Sequence, residues 1–268
     1  MRIYADASFG THPTVVGGCD VGPVSLCTFN YDSIISSAIA VVLTLAIAFW
    51  IRSRLRSGTP GKVQAVFEWG YDLLRGLVKE NVSEDALFIV PLAMTLFLYI
   101  LIANYVELLP LAIFPNDIVH GANADLNQTL AMGLLVIVIV QWYSIRVQGL
   151  RGYLHRFTKP FELPLIARIA YIPLNVLEEL VKPVTLSLRL FGNIFAGAVM
   201  ISLIASIGLL YLPAVSNVPG ILIGSVLLAV WKAFDVLFIG FIQAFIFMLL
   251  TVIYFGMGRE GLEHEHAH

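Results

Sequence analysis

The sequence predicts an all-α integral membrane protein: an N-terminal span, a surface amphipathic helix, two further spans and a long tilted membrane-embedded helical hairpin. Three observations carry this. Hydrophobic residues make up 59% of the 268 positions and charged residues only 13%, about half the roughly 25% of a soluble domain. Apolar runs long enough to cross a core of about 30 Å recur along the chain, and basic residues cluster in alternate loops. The last two apolar runs are too long to stand upright in a bilayer.

The first span runs from Ile34 to Ile51, followed at once by Arg52, Arg54, Arg56 and Lys62. The positive-inside tendency makes that end cytoplasmic and the N-terminus external. Residues 1–33 form an outside segment; they carry Arg2 but no continuous apolar run, so they do not read as a signal peptide. Cys19 and Cys27 lie in this segment. An oxidising compartment would allow a disulfide between them, and two free thiols is the alternative.

Gly58 to Gly61 is a turn, and Lys62 to Asn81 reads as an amphipathic helix. Val63, Val66, Phe67, Leu74, Leu77 and Val78 share one side, with Lys62, Gln64, Glu68, Asp72, Arg75 and Lys79 on the other. The pattern suits a helix lying on the membrane surface, with a packed soluble hairpin as the rival reading. The second span, Ala86 to Leu109, carries Asn104 and Glu107 three apart near its far end. The loop from Pro110 to Asp125 has no Lys or Arg and so lies outside. Leu126 to Ile145 is the third span, and Arg146, Arg151, Arg156 and Lys159 return the chain to the inside. Asp125 also suits the N-cap of this span, with Gln128 three residues on.

Length decides the remainder. From Val184 to Leu212 there is no proline, which as helix is roughly 44 Å and exceeds the membrane core by about half. Ile221 to Met257, about 55 Å as helix, follows the turn at Pro213 to Gly220. Residues 34–257 thus read as one membrane domain, with the tilted hairpin over 174–257 and a polar cytoplasmic tail over 258–268.

Within the hairpin, Glu178, Lys182, Thr185, Arg189, Asn193 and Ala196 recur at helical spacing on one face. An arginine inside a span costs about 2.5–3.5 kcal/mol on insertion scales, which marks Arg189 as functional. It stays cationic, so it cannot carry protons but can hold a carboxylate in its ionised form. Glu178 and Glu179 lie 11 and 10 positions away, about 15 Å along a helix, too far to neutralise it. Gly192, Ala196 and Gly197 allow close approach of a neighbouring helix. Glu178 stands between two readings, an ion pair with Lys182 or the lining of a water-filled path. Asp235 stands between a local pair with Lys232 and a site shared with Gln243, eight positions on. Gln243 has no local partner, which suggests a cross-helix hydrogen bond to the Arg189 helix.

Phosphate loops, HExxH and GxSxG are absent, and two cysteines fall short of a metal site. No cofactor is expected. A net charge of -2 argues against nucleic acid as a partner. A stand-alone transporter would tend to show two similar halves, which this chain lacks. A structural anchor would tolerate loss of Arg189 and Gln243, and an intramembrane enzyme lacks its nucleophile–base pair.

The segments KPVTLSLRLFGN, SLRLFGNIFAG and IQAFIFMLLTVIYF resemble subunit a of the F-type ATP synthase, as do PGKVQAVFE, ADLNQTLAMGL and YSIRVQGLRGY. The resemblance covers nearly everything from residue 33 to 257. It implies a stator subunit that is not catalytic alone, packed against a rotating c-subunit ring whose members carry buried carboxylates. Peripheral-stalk b subunits, the rest of the synthase and the lipid bilayer are the other implied partners. Arg189 matches the arginine separating two aqueous half-channels, and Asn193 and Gln243 match its polar neighbours. Asn104 and Glu107, with Asp125, match the outer half-channel, and Glu178 resembles an acid on the inner exit side. Two departures stand out. Ala198 replaces an acid found in some bacterial members, and Val236 stands where those members carry a titratable residue, with Asp235 one position earlier. Asp235 serves there only if the helix shifts locally. The implied location is a bacterial cell membrane, N-terminus outside and C-terminus cytoplasmic, with an organellar inner membrane as the alternative.

Overall fold

A computed structural model describes residues 14–16, 20–21, 24–25, 28–56, 58–106, 126–156, 165–211 and 218–259. Glu107 and Asp125, with the loop between them, Cys19, Cys27 and the tail beyond residue 259 lie outside the described residues.

Among the described residues there are seven α-helices, and five helical stretches, the last of them running through two helices and the segment between them, are long and apolar enough to cross a membrane. This is an all-α multi-pass membrane protein. The N-terminal segment adds two short antiparallel pairs that the sequence reading did not anticipate: β1 (Thr14–Val16) with β4 (Thr28–Asn30), and β2 (Asp20–Val21) with β3 (Val24–Ser25).

Helix α1 (Tyr31–Arg54) is the first span; Val42, Leu45, Phe49 and Trp50 face outward from it. Helix α2 (Lys62–Asn81) buries Leu74 and Val78 against the bundle. Its sides differ from the expected division. Val63 and Val66 are exposed, while Gln64 is buried. The Gln64 amide explains this: its Nε2 donates to the Arg56 carbonyl at 3.1 Å and its Oε1 accepts from the Arg56 N–H at 3.1 Å. It thereby closes the α1–α2 turn in the manner of a backbone pair.

Helix α3 (Ile89–Val106) is the second span. Helix α4 (Leu126–Arg156) is the third, and it bends at Gly149, whose φ of 71° suits glycine. Helix α5 (Leu165–Tyr211) has 47 residues and continues through Pro173 and Pro183. At about 70 Å it is more than twice the bilayer core, the length expected of a strongly tilted element. The second arm is α6 (Val218–Ala233), a π-helical segment (Phe234–Ile239) and α7 (Gly240–Met257) in unbroken succession.

The core lies between α3, α4, α5 and α7, with α2 across one end. Ile89, Val90, Val136, Leu186, Leu190, Phe247 and Phe255 are fully buried in it. Phe88, Tyr143 and Phe255 form an aromatic triangle with ring centroids 5.4 to 6.1 Å apart. Small residues set the closest approaches. A Cβ on Gly133 of α4 would fall 2.9 Å from the Pro183 carbonyl oxygen of α5. The Arg259 guanidinium hydrogen-bonds Ser83 and so ties the end of α7 to the α2–α3 connection. Gln148 Nε2 of α4 donates to the Gly258 carbonyl at 2.6 Å, so the C-terminal parts of α4 and α7 also meet.

Candidate functional site

The polar site sits where the second hairpin arm crosses α3 and α5. Helix α3 brings Asn104, α5 brings Asn193, the π segment brings Asp235, and α7 brings Gln243. These four line one cavity, with Leu190, Ile194, Val236 and Gly240 as its remaining wall. Its volume of about 10 Å³ is at the lower limit for holding one water molecule.

The π segment accounts for this convergence. Asp235 and Gln243 are eight positions apart, which in a regular α-helix separates them by about 80° around the axis. A π turn accommodates one extra residue, so eight positions act as seven and the difference falls to about 20°. The wide turn is visible in the Gly240 N–H, which donates to the Asp235 carbonyl five residues back. Side chains of α3 supply donors to the loosened carbonyls. Asn104 Nδ2 donates to the Gly240 carbonyl at 3.1 Å and the Tyr105 hydroxyl to the Leu237 carbonyl at 3.3 Å. Insertion of side-chain donors into the backbone ladder is a recognised cause of such irregularities. Gly240 permits the contact, since a Cβ there would come within 3.2 Å of Asn104 Cβ. Asp235 and Val236 thus lie within a π turn.

Of the small residues on α5, Gly197 is the one that admits Asp235. A Cβ on Gly197 would lie 2.9 Å from Asp235 Cγ. Gly192 has open space around its Cα, and Ala196 is exposed. Gln243 is buried and faces α5 across the cavity, but no hydrogen bond from it to α5 exists among the described residues.

The stripe read along α5 divides in three dimensions. Arg189 is exposed and makes no ion pair among the described residues, in a neighbourhood of exposed Val184, Leu188 and Phe195. Asn193 turns toward the cavity, and Lys182 turns inward to 8% exposure. Its ammonium lies 2.9 Å from Glu179 Oε1 and 3.6 Å from Glu178 Oε1. The nearer partner is therefore Glu179, not the Glu178 named from the four-residue spacing. Gln141 of α4 completes the cluster by donating to Glu179 Oε2 at 2.6 Å. Sequence reasoning missed this triad because nothing in the α5 spacing chooses between i+3 and i+4.

A second unforeseen polar link joins three helices: Ser37 Oγ of α1 donates to Gln128 Oε1 of α4 at 2.5 Å, and Gln128 Nε2 donates to the Tyr99 hydroxyl of α3 at 3.0 Å. Gln128 was read as a capping residue. Its side chain instead crosses to α1 and α3.

Fold and site together define a multi-pass α-helical membrane protein with a polar cavity between its long helical hairpin and α3, and with an exposed arginine on α5 that makes no ion pair among the described residues. The protein family described as ATP synthase A chain matches residues 34–256. The chain is 38% identical over 272 residues to ATP synthase subunit a of Mycobacterium ulcerans, covering 98% of each chain. It is 40% identical over 247 residues to that of Mycobacterium marinum, covering 89% of this chain and 90% of the relative. The Acidothermus cellulolyticus subunit a is 39% identical over 245 residues, covering 90% of this chain and 82% of the relative. The chain belongs to the ATP synthase subunit a family.

Proposed function

We propose that this chain is the proton-conducting stator subunit of an F-type ATP synthase. It carries protons to and from a ring of c subunits through two aqueous half-channels that Arg189 keeps apart. The observation that supports this best is the setting of Arg189, a cation on the exposed apolar flank of α5 without a counter-charge among the described residues. Such a group calls for an anionic partner, and a ring carboxylate passing along α5 supplies one. The fixed guanidinium favours the ionised carboxylate and bars protons from crossing directly between the channels.

The outer half-channel uses Glu107, Asp125 and Asn104, together with Asn193, Asp235 and Gln243 of the same cavity as Asn104. Asp235 is the carboxylate that exchanges protons there. The inner half-channel opens beside Glu178, whose side chain is 60% exposed. Each proton driven through gains about 2.3 kcal/mol per 100 mV of membrane potential, and ring rotation delivers it to the soluble sector, where nucleotide chemistry occurs. The subunit is not catalytic alone. It sits in a bacterial cell membrane with the basic loops in the cytoplasm and the N-terminus outside, beside peripheral-stalk b subunits.

The ring-facing assignment is tested by disulfide cross-linking in the assembled complex, after Cys19 and Cys27 are replaced by serine. Leu188→Cys and Phe195→Cys, on the exposed flank of α5, should each cross-link to a cysteine placed next to the ring carboxylate. An assembled complex giving no cross-link from either position would overturn it.

A further inference from the structure

We propose that Glu179 and Gln141 form a clamp that retains Lys182, and that this retention leaves Glu178 with only the longer 3.6 Å contact to the ammonium, loose enough for it to exchange protons. The inference rests on the proposed proton-conducting role and concerns how its inner exit is kept working.

The geometry gives each carboxylate a different setting. Glu179 is 17% exposed at its side chain; one oxygen accepts from Lys182 at 2.9 Å and the other from Gln141 Nε2 at 2.6 Å. Glu178 is 60% exposed and lies 3.6 Å from the same ammonium. The groove around the cluster is closed by Ile137 and Val140 of α4 and Tyr254 of α7. The titratable or charged groups here are thus Glu178, Glu179 and Lys182 of α5 and Tyr254 of α7, while α4 offers the neutral amide of Gln141.

A buried ammonium must have an anionic partner, because an uncompensated charge in such a place is strongly unfavourable. Lys182 pairs with both acids, at 2.9 and 3.6 Å, and which one holds it closer is decided by the second hydrogen bond that Glu179 receives from Gln141. Gln141 sits on the far side of Glu179 and holds the carboxylate in bidentate use. Charge-assisted contacts of this kind are the strong members of their class. Without the clamp, Lys182 has one anion left to take, Glu178, and an acid bound in a tight ion pair does not pass protons on. Gln141 and Glu179 are therefore positioning residues, acting on the exit through Lys182.

The test is a rescue experiment on the intact ATP synthase in membrane vesicles, reading ATP-driven proton pumping per assembled complex. Glu179→Gln should lower pumping at least several-fold. Adding Lys182→Gln to that variant should restore most of the loss, because no ammonium remains to capture Glu178. Gln141→Leu keeps all three charges and should give a smaller loss in the same direction, which covers the case in which Glu179→Gln fails to assemble. Parent-level pumping per complex in Glu179→Gln or, failing its assembly, in Gln141→Leu would overturn the clamp. So would absence of rescue by Lys182→Gln. Parent-level pumping in Glu178→Gln would overturn the assignment of Glu178 as the beneficiary. Arg189→Ala in the same vesicles separates the two levels. If it pumps normally the stator reading itself fails; if it is silent while the Glu179 results go the wrong way, only the clamp fails.

Discussion

The carboxylate of Asp235 packs directly onto the Cα of Gly197, across the gap between the π segment and α5. The two helices can bring Asp235 this close only because position 197 has no side chain. A Cβ at 197 would sit 2.9 Å from Asp235 Cγ, inside any tolerable contact. Gly197→Ala should favour the helix by about 1 kcal/mol through propensity alone, yet overpack the contact at about 1–3 kcal/mol. The expected outcome is a complex that assembles but pumps at least several-fold more slowly, measured as ATP-driven acidification of vesicles. Pumping at the parent rate would show that the contact is not needed.

The cavity is lined by both Asp235 and its neighbour Val236. Asp235→Asn removes the exchangeable carboxylate and should cut pumping by about a hundredfold or more, in the range that a proton-transfer group contributes. Placing Val236→Asp in that background should recover part of the rate, because the new acid borders the same space. The pair of measurements separates loss of the carboxylate from loss of packing.

Asn104 holds the π segment by its 3.1 Å hydrogen bond to the Gly240 carbonyl. Asn104→Leu leaves that buried carbonyl without this donor, at a cost of about 1–3 kcal/mol. Faster hydrogen exchange of the amides from Asp235 to Gly240 is expected, with a lower melting temperature for the complex. Exchange unchanged in this stretch would show that the π turn is intrinsic to its own sequence.

Much of this architecture was legible because it depends on length and periodicity. The five spans and the overlong hairpin arms follow from runs of apolar residues and where Lys and Arg interrupt them. What sequence could not show was the choice among neighbours that spacing leaves equal. Lys182 has acids three and four residues back, and Gln141 on another helix decided between them. Gln64 belongs to the polar side of an ideal wheel, yet a carbonyl and an N–H at the turn drew it inward. The π segment leaves no mark in composition; the eight-residue interval from Asp235 to Gln243 was its one trace. Gly197 was noticed as a point of close approach, but its partner became visible only in three dimensions.

The central claim is that Arg189 meets a carboxylate from outside the chain and separates two proton paths. The measurement that tests it most directly is ATP-driven proton pumping by the assembled complex carrying Arg189→Ala, with Arg189→Lys beside it. The account predicts no pumping in the alanine variant and little or none in the lysine variant, since geometry as well as charge is needed. Normal pumping by a fully assembled Arg189→Ala complex would contradict it.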